Sequence, residues 1–106
     1  MTSLARRHCQ PVKGAALSGD ALPPLLAQVP AWAVVDDALQ RRFTFDDFAA
    51  TMSFVNAVAW LAQREDHHPD LHLGWGWCNV RWTTHSVGGL SMNDFICAAQ
   101  VDALQP

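Results

Sequence analysis

Four of the chain's five histidines lie in one short stretch, and their spacing could support chemistry. The stretch EDHHPDLHLGWGWCNVRWTTH covers residues 65–85 and contains His67, His68, His72 and His85. Imidazole has an unperturbed pKa of about 6.5, so it can donate or accept a proton near neutral pH. A group of imidazoles could therefore act as acid–base catalysts, bind a metal ion or form solvated surface.

Two adjacent segments carry these histidines, and they are predicted to form an antiparallel hairpin. Apolar residues alternate with polar ones along 70–77 and again along 78–85, which is the period of a half-buried strand. If the chain reverses between the two segments, opposed residues have numbers that sum to about 151–155. His85 then returns to the start of the hairpin, next to His67 and His68.

From the residues alone, an acid–base site, a metal site and a structural coincidence all remain open. Three converging imidazoles suit a reaction in which one group leaves protonated while another proton is removed. A zinc site usually needs four protein ligands, or three and a water molecule. His67 and His68 are adjacent and their side chains diverge, so they are poor co-ligands of one ion. A metal site is therefore the least favoured of the three.

The elements that must position the hairpin can be predicted from periodicity and from capping signals. A short helix is expected within 18–29, followed by strands at 31–35 and 38–45. Thr44 and Asp47 have the spacing of a capping box, and a long helix with two apolar rows follows them. That helix must end before Pro69, because proline disfavours helical geometry in the preceding residue.

After the histidine hairpin, one more helix completes the domain. Ser91 and Asp94 have a second capping-box spacing, and the final helix is expected to continue towards Leu104. The order of elements is α-β-β-α-β-β-α. Such an order indicates an α+β domain, a four-stranded antiparallel sheet with three helices on one face.

Composition restricts the class of protein. The chain has 106 residues, half of them hydrophobic, which suits one packed domain at 18–104 behind a flexible leader at 1–17. The net charge of -3 gives no basic surface, so a nucleic-acid partner is not expected, and no apolar run is long enough to span a membrane. The three cysteines form no CxxC pair, which favours a reducing, cytoplasmic compartment.

The motifs DHHPDL, TTH and GGLSMNDF together resemble the pterin-4a-carbinolamine dehydratase family. The family pattern is HHP, an aromatic residue several positions on, a third histidine that closes the last strand, and an aspartate in the final helix. The matching residues in this chain are His67, His68, Pro69, Trp75, His85 and Asp94. The resemblance covers about residues 18–104.

This resemblance implies a hydro-lyase, a 4a-hydroxytetrahydrobiopterin dehydratase. It would eliminate water from 4a-hydroxytetrahydropterin to give quinonoid dihydropterin, and so recycle the pterin after aromatic amino acid hydroxylation. The pterin is the substrate, and no metal or organic cofactor is implied. Family members form homodimers or homotetramers. The alternative is a dehydratase-like scaffold that assists the dimerisation or assembly of another protein.

The resemblance also implies roles for particular residues. The expected catalytic group is His67, His68 and His85, and the pterin is expected to contact His67, His68, Pro69, Thr84, His85, Ser86 and Val87. Trp75 and Trp82 either flank the pterin or belong to the core or an interface. Asp94 either caps the last helix or supports His85. The family often has glutamate four residues before HHP, whereas this chain has Gln63, with Glu65 as an uncertain substitute.

Overall fold

A computed structural model describes residues 3–104 and shows one antiparallel sheet covered by helices. Strands β1 (Ala33–Val35), β2 (Ala38–Thr44), β3 (Asp70–Gly74) and β4 (Trp77–Trp82) lie in the order β1-β2-β4-β3. The helices are α1 (Leu22–Leu26), α2 (Phe48–Glu65) and α3 (Met92–Asp102). The predicted α+β class and order of elements are confirmed. No helix within residues 3–104 is long and apolar enough to cross a bilayer.

The first hairpin is closed by a turn with unusual backbone geometry. Asp36 and Asp37 have φ angles of 49° and 62°, the left-handed values that a tight two-residue hairpin turn requires. Strand β1 begins at Ala33, two residues later than predicted. In β2, Leu39 and Phe43 are buried, as the alternating pattern predicts.

Helix α2 begins later than the capping-box spacing indicates. Asp47 is itself the N-cap, and its Oδ1 accepts a hydrogen bond of 2.8 Å from the backbone N–H of Ala50. The predicted capping box led by Thr44 does not form, because Thr44 is still paired with Trp77 in the sheet, but the helix does follow Asp47 as expected. At the other end Asp66 adopts a left-handed conformation with φ 52°, so the helix stops before Pro69 as predicted.

One row of α2 packs onto strands β3 and β4 and helix α3. The buried residues of this row are Thr51, Phe54, Val58, Leu61 and Glu65, with Val55 and Ala62 beside them. The apolar residues among them belong to one core cluster with Val80 and Trp82 of β4 and Phe95 and Ile96 of α3. The other predicted row consists of Phe48, Met52, Val55, Ala59 and Ala62. It is less buried at its start, since Phe48 is 47 % exposed.

The β3–β4 hairpin has the predicted register. Asp70 lies opposite Arg81 and Leu71 opposite Val80, so the paired numbers sum to 151. Helix α3 has the predicted capping box. The Ser91 side chain accepts a hydrogen bond from the backbone N–H of Asn93, and the Asp94 side chain accepts one from the backbone N–H of Ser91. Two sequence signals therefore located the elements on either side of the candidate site correctly.

The N-terminal segment packs against the domain, which differs from the flexible leader expected at 1–17. Leu4 is 5 % exposed and belongs to the core cluster, and the short 3-10 turn Leu4–Arg6 contacts α3. Its partners are distant in sequence, so no local periodicity reveals the packing. Residues 1 and 2 lie outside the described part of the chain.

Candidate functional site

Asp94 is the buried acid of the candidate site. Its side chain has no solvent exposure, and Oδ2 accepts 2.8 Å hydrogen bonds from the backbone N–H of Ser91 and from Oγ1 of Thr84. The other carboxylate oxygen, Oδ1, lies 2.6 Å from Nε2 of His67. A buried carboxylate is tolerated only when it is paired in this way. Asp94 therefore both caps α3, as predicted, and contacts His67; the expected alternative partner was His85.

His67 is fixed from two directions. Its side chain is 12 % exposed, and its ring stacks on the indole of Trp82 with centroids 5.5 Å apart and planes inclined by 11°. The Asp94 carboxylate can only accept a hydrogen bond, so the hydrogen-bond network places a proton on Nε2 of His67, which donates it. The other ring nitrogen, Nδ1, is then the one available for proton exchange with a ligand.

A cavity of about 400 Å³ opens beside His67. This volume lies in the range of small-molecule sites, about 300–1,000 Å³. Three residues predicted to bind substrate, His67, Thr84 and Ser86, line the cavity. The remaining wall comes from residues that were not predicted to contact substrate: Cys9, Gln10, Pro11, Val12, Glu65, Asp66 and Asn93.

The structure does not bring the other predicted histidines to the cavity wall. His68 is exposed, and its Nε2 lies 3.4 Å from Oε1 of Gln63, the position where the family often has glutamate. His85 is exposed and begins a 3-10 turn, His85–Val87. We expected His85 to close the last strand, but β4 ends at Trp82 because Thr84 pairs instead with Gly89. Pro69 and Val87 are half-buried and also lie outside the cavity lining.

The two tryptophans considered as walls of the pterin site occupy different places. Trp82 is fully buried beneath His67, so it supports the imidazole and offers no free face to a ligand. Trp75 is 69 % exposed in the turn between β3 and β4. That turn lies four residues along β3 from Asp70, a separation of about 13 Å at the usual rise per residue. Trp75 therefore lies at the opposite end of the hairpin from His67.

Sequence reasoning missed the contribution of residues 7–12, which we call the N-terminal strap. Cys9, Gln10, Pro11 and Val12 of the strap line the cavity. Glu65 holds the strap: Oε1 accepts from the backbone N–H of Cys9 and Oε2 contacts Nδ1 of His8, both at 2.8 Å. One signal was present. Glu65 continues the buried row of α2 one turn after Leu61, where a lone carboxylate needs partners.

The strap contacts change the acidity of Glu65. Burial of this side chain, which is 2 % exposed, disfavours its ionised form. Hydrogen bonds from Cys9 and His8 outweigh that cost and lower the pKa from 4.5 to about 2. Glu65 is thus a carboxylate at neutral pH.

Within residues 3–104, no group of three or more His, Cys, Asp or Glu side chains is arranged to hold a metal ion.

Comparison with known sequences identifies the family. The sequence model of the family described as "Pterin 4 alpha carbinolamine dehydratase" matches residues 15–104. Relatives named "Putative pterin-4-alpha-carbinolamine dehydratase" include one from Nitrosospira multiformis, 47 % identical over 95 % of this chain and 91 % of its own length. Another, from Stenotrophomonas maltophilia, is 52 % identical over 95 % and 90 %. The chain therefore belongs to the pterin-4-alpha-carbinolamine dehydratase family.

Solved structures agree with this fold. A transcriptional coactivator/pterin dehydratase from Brucella melitensis superposes with a TM-score of 0.81 at 28 % identity, covering 86 % of this chain and 99 % of its own. A pterin dehydratase-like protein identified as a RuBisCO assembly factor in the alpha-carboxysome gives a TM-score of 0.58 at 27 % identity, covering 69 % and 84 %. The fold thus occurs in proteins described as enzymes and as assembly factors.

Proposed function

We propose that this protein is a hydro-lyase that removes water from 4a-hydroxytetrahydropterin to give quinonoid dihydropterin. The observation that carries the proposal is the His67–Asp94 pair, whose contact of 2.6 Å orients one imidazole at the edge of the cavity. Membership of the dehydratase family supports the choice of substrate. The product would return to the pterin pool that aromatic amino acid hydroxylases use.

The proposed reaction needs two proton transfers and no net change of charge. The C4a–O bond breaks once the hydroxyl is protonated, so that water leaves. The ring nitrogen bonded to C4a loses its proton as the double bond between them forms. General acid–base catalysis of this kind typically accelerates a reaction about 10²–10⁴-fold. No metal or organic cofactor is required, because the electrons stay within the pterin.

In this proposal, His67 and His85 exchange protons with the leaving hydroxyl and the ring nitrogen, and His68 orients the pterin and shares the acid role. The pterin lies against His67, His68 and Pro69 on one side and against Thr84, His85, Ser86 and Val87 on the other. The exposed positions of His68 and His85 leave both rings free to turn towards a ligand. Asp94 acts through His67, by holding its tautomer and orientation.

A second candidate function is a scaffold for assembly of another protein. Trp60 of α2 is 79 % exposed and lies beside an apolar groove with Ala57 and Leu104. The names of the two similar structures, which mention a coactivator and an assembly factor, favour this alternative. Homodimers or homotetramers, proposed for this chain as for the family, could use the same surface.

The rate of carbinolamine dehydration, followed by absorbance, tests the proposed function. The protein should accelerate the spontaneous reaction, and a double variant, His67→Ala with His85→Ala, should lose about 10²-fold or more of that acceleration. His72→Ala is the matched control, because His72 is exposed on β3 outside the cavity lining. Equal rates with and without the wild-type protein would leave the scaffold function as the better account.

A further inference from the structure

We propose that the N-terminal strap, residues 7–12, is the substrate-enclosing wall of the cavity and that Glu65 is the residue that positions it. The strap supplies Cys9, Gln10, Pro11 and Val12 to a cavity that His67 and Thr84 also line. The identity of the enclosed ligand, a reduced pterin, rests on the proposed function. The role of the strap rests on the contacts described below.

The strap is held by side chains that form hydrogen bonds with its backbone. The side-chain amide of Asn93 forms two hydrogen bonds with the backbone of Gln10. Its Oδ1 accepts from the N–H of Gln10 at 3.1 Å, and its Nδ2 donates to the carbonyl of Gln10 at 2.7 Å. Asn93 is 7 % exposed and lies next to Asp94 in the first turn of α3. The strap is therefore attached directly to the turn that orients His67.

Two further contacts anchor the ends of the strap. Nε2 of Gln100 donates to the carbonyl of Arg7 at 2.9 Å, and Oγ of Ser86 donates to the carbonyl of Val12 at 3.3 Å. Ser86 belongs to the 3-10 turn that also contains His85. The strap is thus attached to α3 at one end and to the 3-10 turn that contains His85 at the other.

Glu65 is the charged member of this set. It accepts the backbone N–H of Cys9 and contacts His8, and its side chain is buried between α2 and the strap. Charge-assisted hydrogen bonds are about twice as strong as neutral ones. Replacing the carboxylate with an amide keeps the shape but weakens both contacts. Glu65→Gln should therefore loosen the strap and leave His67 and Asp94 in place.

The first test separates strap positioning from chemistry by kinetics. Glu65→Gln is expected to raise KM for the carbinolamine about tenfold, with kcat within about threefold of wild type, because uniform binding is lost. Glu65→Asp, which restores the charge, should recover part of the affinity. Unchanged KM in Glu65→Gln would overturn the assignment of Glu65. Asp20→Asn, at an exposed carboxylate before α1, is the matched control.

The second test does not depend on turnover. Cys9 is partly exposed whereas Cys78 and Cys97 are buried, so N-ethylmaleimide labelling of the reduced protein, located by mass spectrometry, reports on the strap. Saturating 7,8-dihydrobiopterin should slow Cys9 labelling at least about fivefold, since Cys9 lines the cavity that the pterin would fill. Glu65→Gln should accelerate labelling of the free protein.

Val12→Trp keeps the proposal testable if Glu65→Gln fails to fold. A bulky side chain on the strap should fill the cavity and weaken 7,8-dihydrobiopterin binding about tenfold or more. Binding of the pterin with unchanged Cys9 labelling, and no effect of Val12→Trp, would overturn the strap proposal alone. Absence of pterin binding to the wild-type protein would overturn the proposed function, and with it the ligand assigned to the strap.

Discussion

The Oδ1 atom of Asp94 lies 2.6 Å from Nε2 of His67, so the first turn of α3 is joined to the chain just beyond the end of α2. The same carboxylate accepts the Thr84 hydroxyl and the Ser91 N–H. Each carboxylate oxygen of Asp94 thus has a defined partner. The helix cap and the orientation of His67 depend on one side chain.

Asp94→Asn should separate these two roles. The asparagine amide has the same shape as the carboxylate, but one of its two polar atoms is an N–H donor. His67, Thr84 and Ser91 all need an acceptor at this position, so the network that fixes the tautomer of His67 is disturbed. We expect kcat to fall about 10²-fold with little change in KM, as for other groups that orient a catalytic imidazole. Asp70→Asn, at an exposed carboxylate, is the control. A kcat equal to that of wild type would show that Asp94 is only a helix cap.

Replacement of Trp82 should affect both stability and His67. Trp82 is fully buried, and Trp82→Ala should lower the free energy of unfolding by about 3–5 kcal/mol because it leaves a cavity. Trp82→Phe keeps an aromatic ring under the imidazole and should cost less, about 1–2 kcal/mol. Urea unfolding measures both values. A loss below about 1 kcal/mol in Trp82→Ala would contradict this packing.

The lowered pKa of Glu65 predicts a specific dependence of stability on pH. A carboxyl with a depressed folded-state pKa stabilises the fold fully above its unfolded value of 4.5, and this contribution is lost as pH falls towards about 2. The difference in unfolding free energy between wild type and Glu65→Gln should therefore narrow between about pH 7 and about pH 3. Urea unfolding at both pH values is the measurement. A constant difference would show that the charge of Glu65 does not hold the strap.

The exposed histidines should affect the reaction without affecting the fold. His68→Ala and His85→Ala remove side chains with few contacts, so the unfolding free energy should change by no more than about 0.5 kcal/mol. Each should nevertheless slow dehydration, by about tenfold or more if the ring transfers a proton. Thermal unfolding and the absorbance assay provide the two readouts. Full activity in His85→Ala would leave the proton transfers to His67 and His68.

Local patterns predicted much of the fold. The alternation along 70–85 predicted the β3–β4 register, and Ser91 and Asp94 predicted the start of α3, because the register of a hairpin and the cap of a helix depend on residues close in sequence. The spacing of Thr44 and Asp47 was misleading. The pairing of Thr44 with Trp77 is a tertiary interaction, and it kept Thr44 in the sheet.

The candidate site was predicted less completely. His67 and Asp94 were both identified, but their contact joins positions 27 apart and no periodicity reveals it. The strap was missed for the same reason: Asn93 holds Gln10 across 83 positions. His85 was expected on a strand, and the pairing of Thr84 with Gly89 turned the chain into a 3-10 turn instead.

The most direct test of the central claim is a crystal structure of the protein with bound 7,8-dihydrobiopterin. We expect the pterin in the cavity between the strap and His67, with a His67 ring nitrogen about 3 Å from the C4a and N5 edge or joined to it through one water. A pterin bound elsewhere, or held in the cavity with that edge turned away from His67, would contradict it.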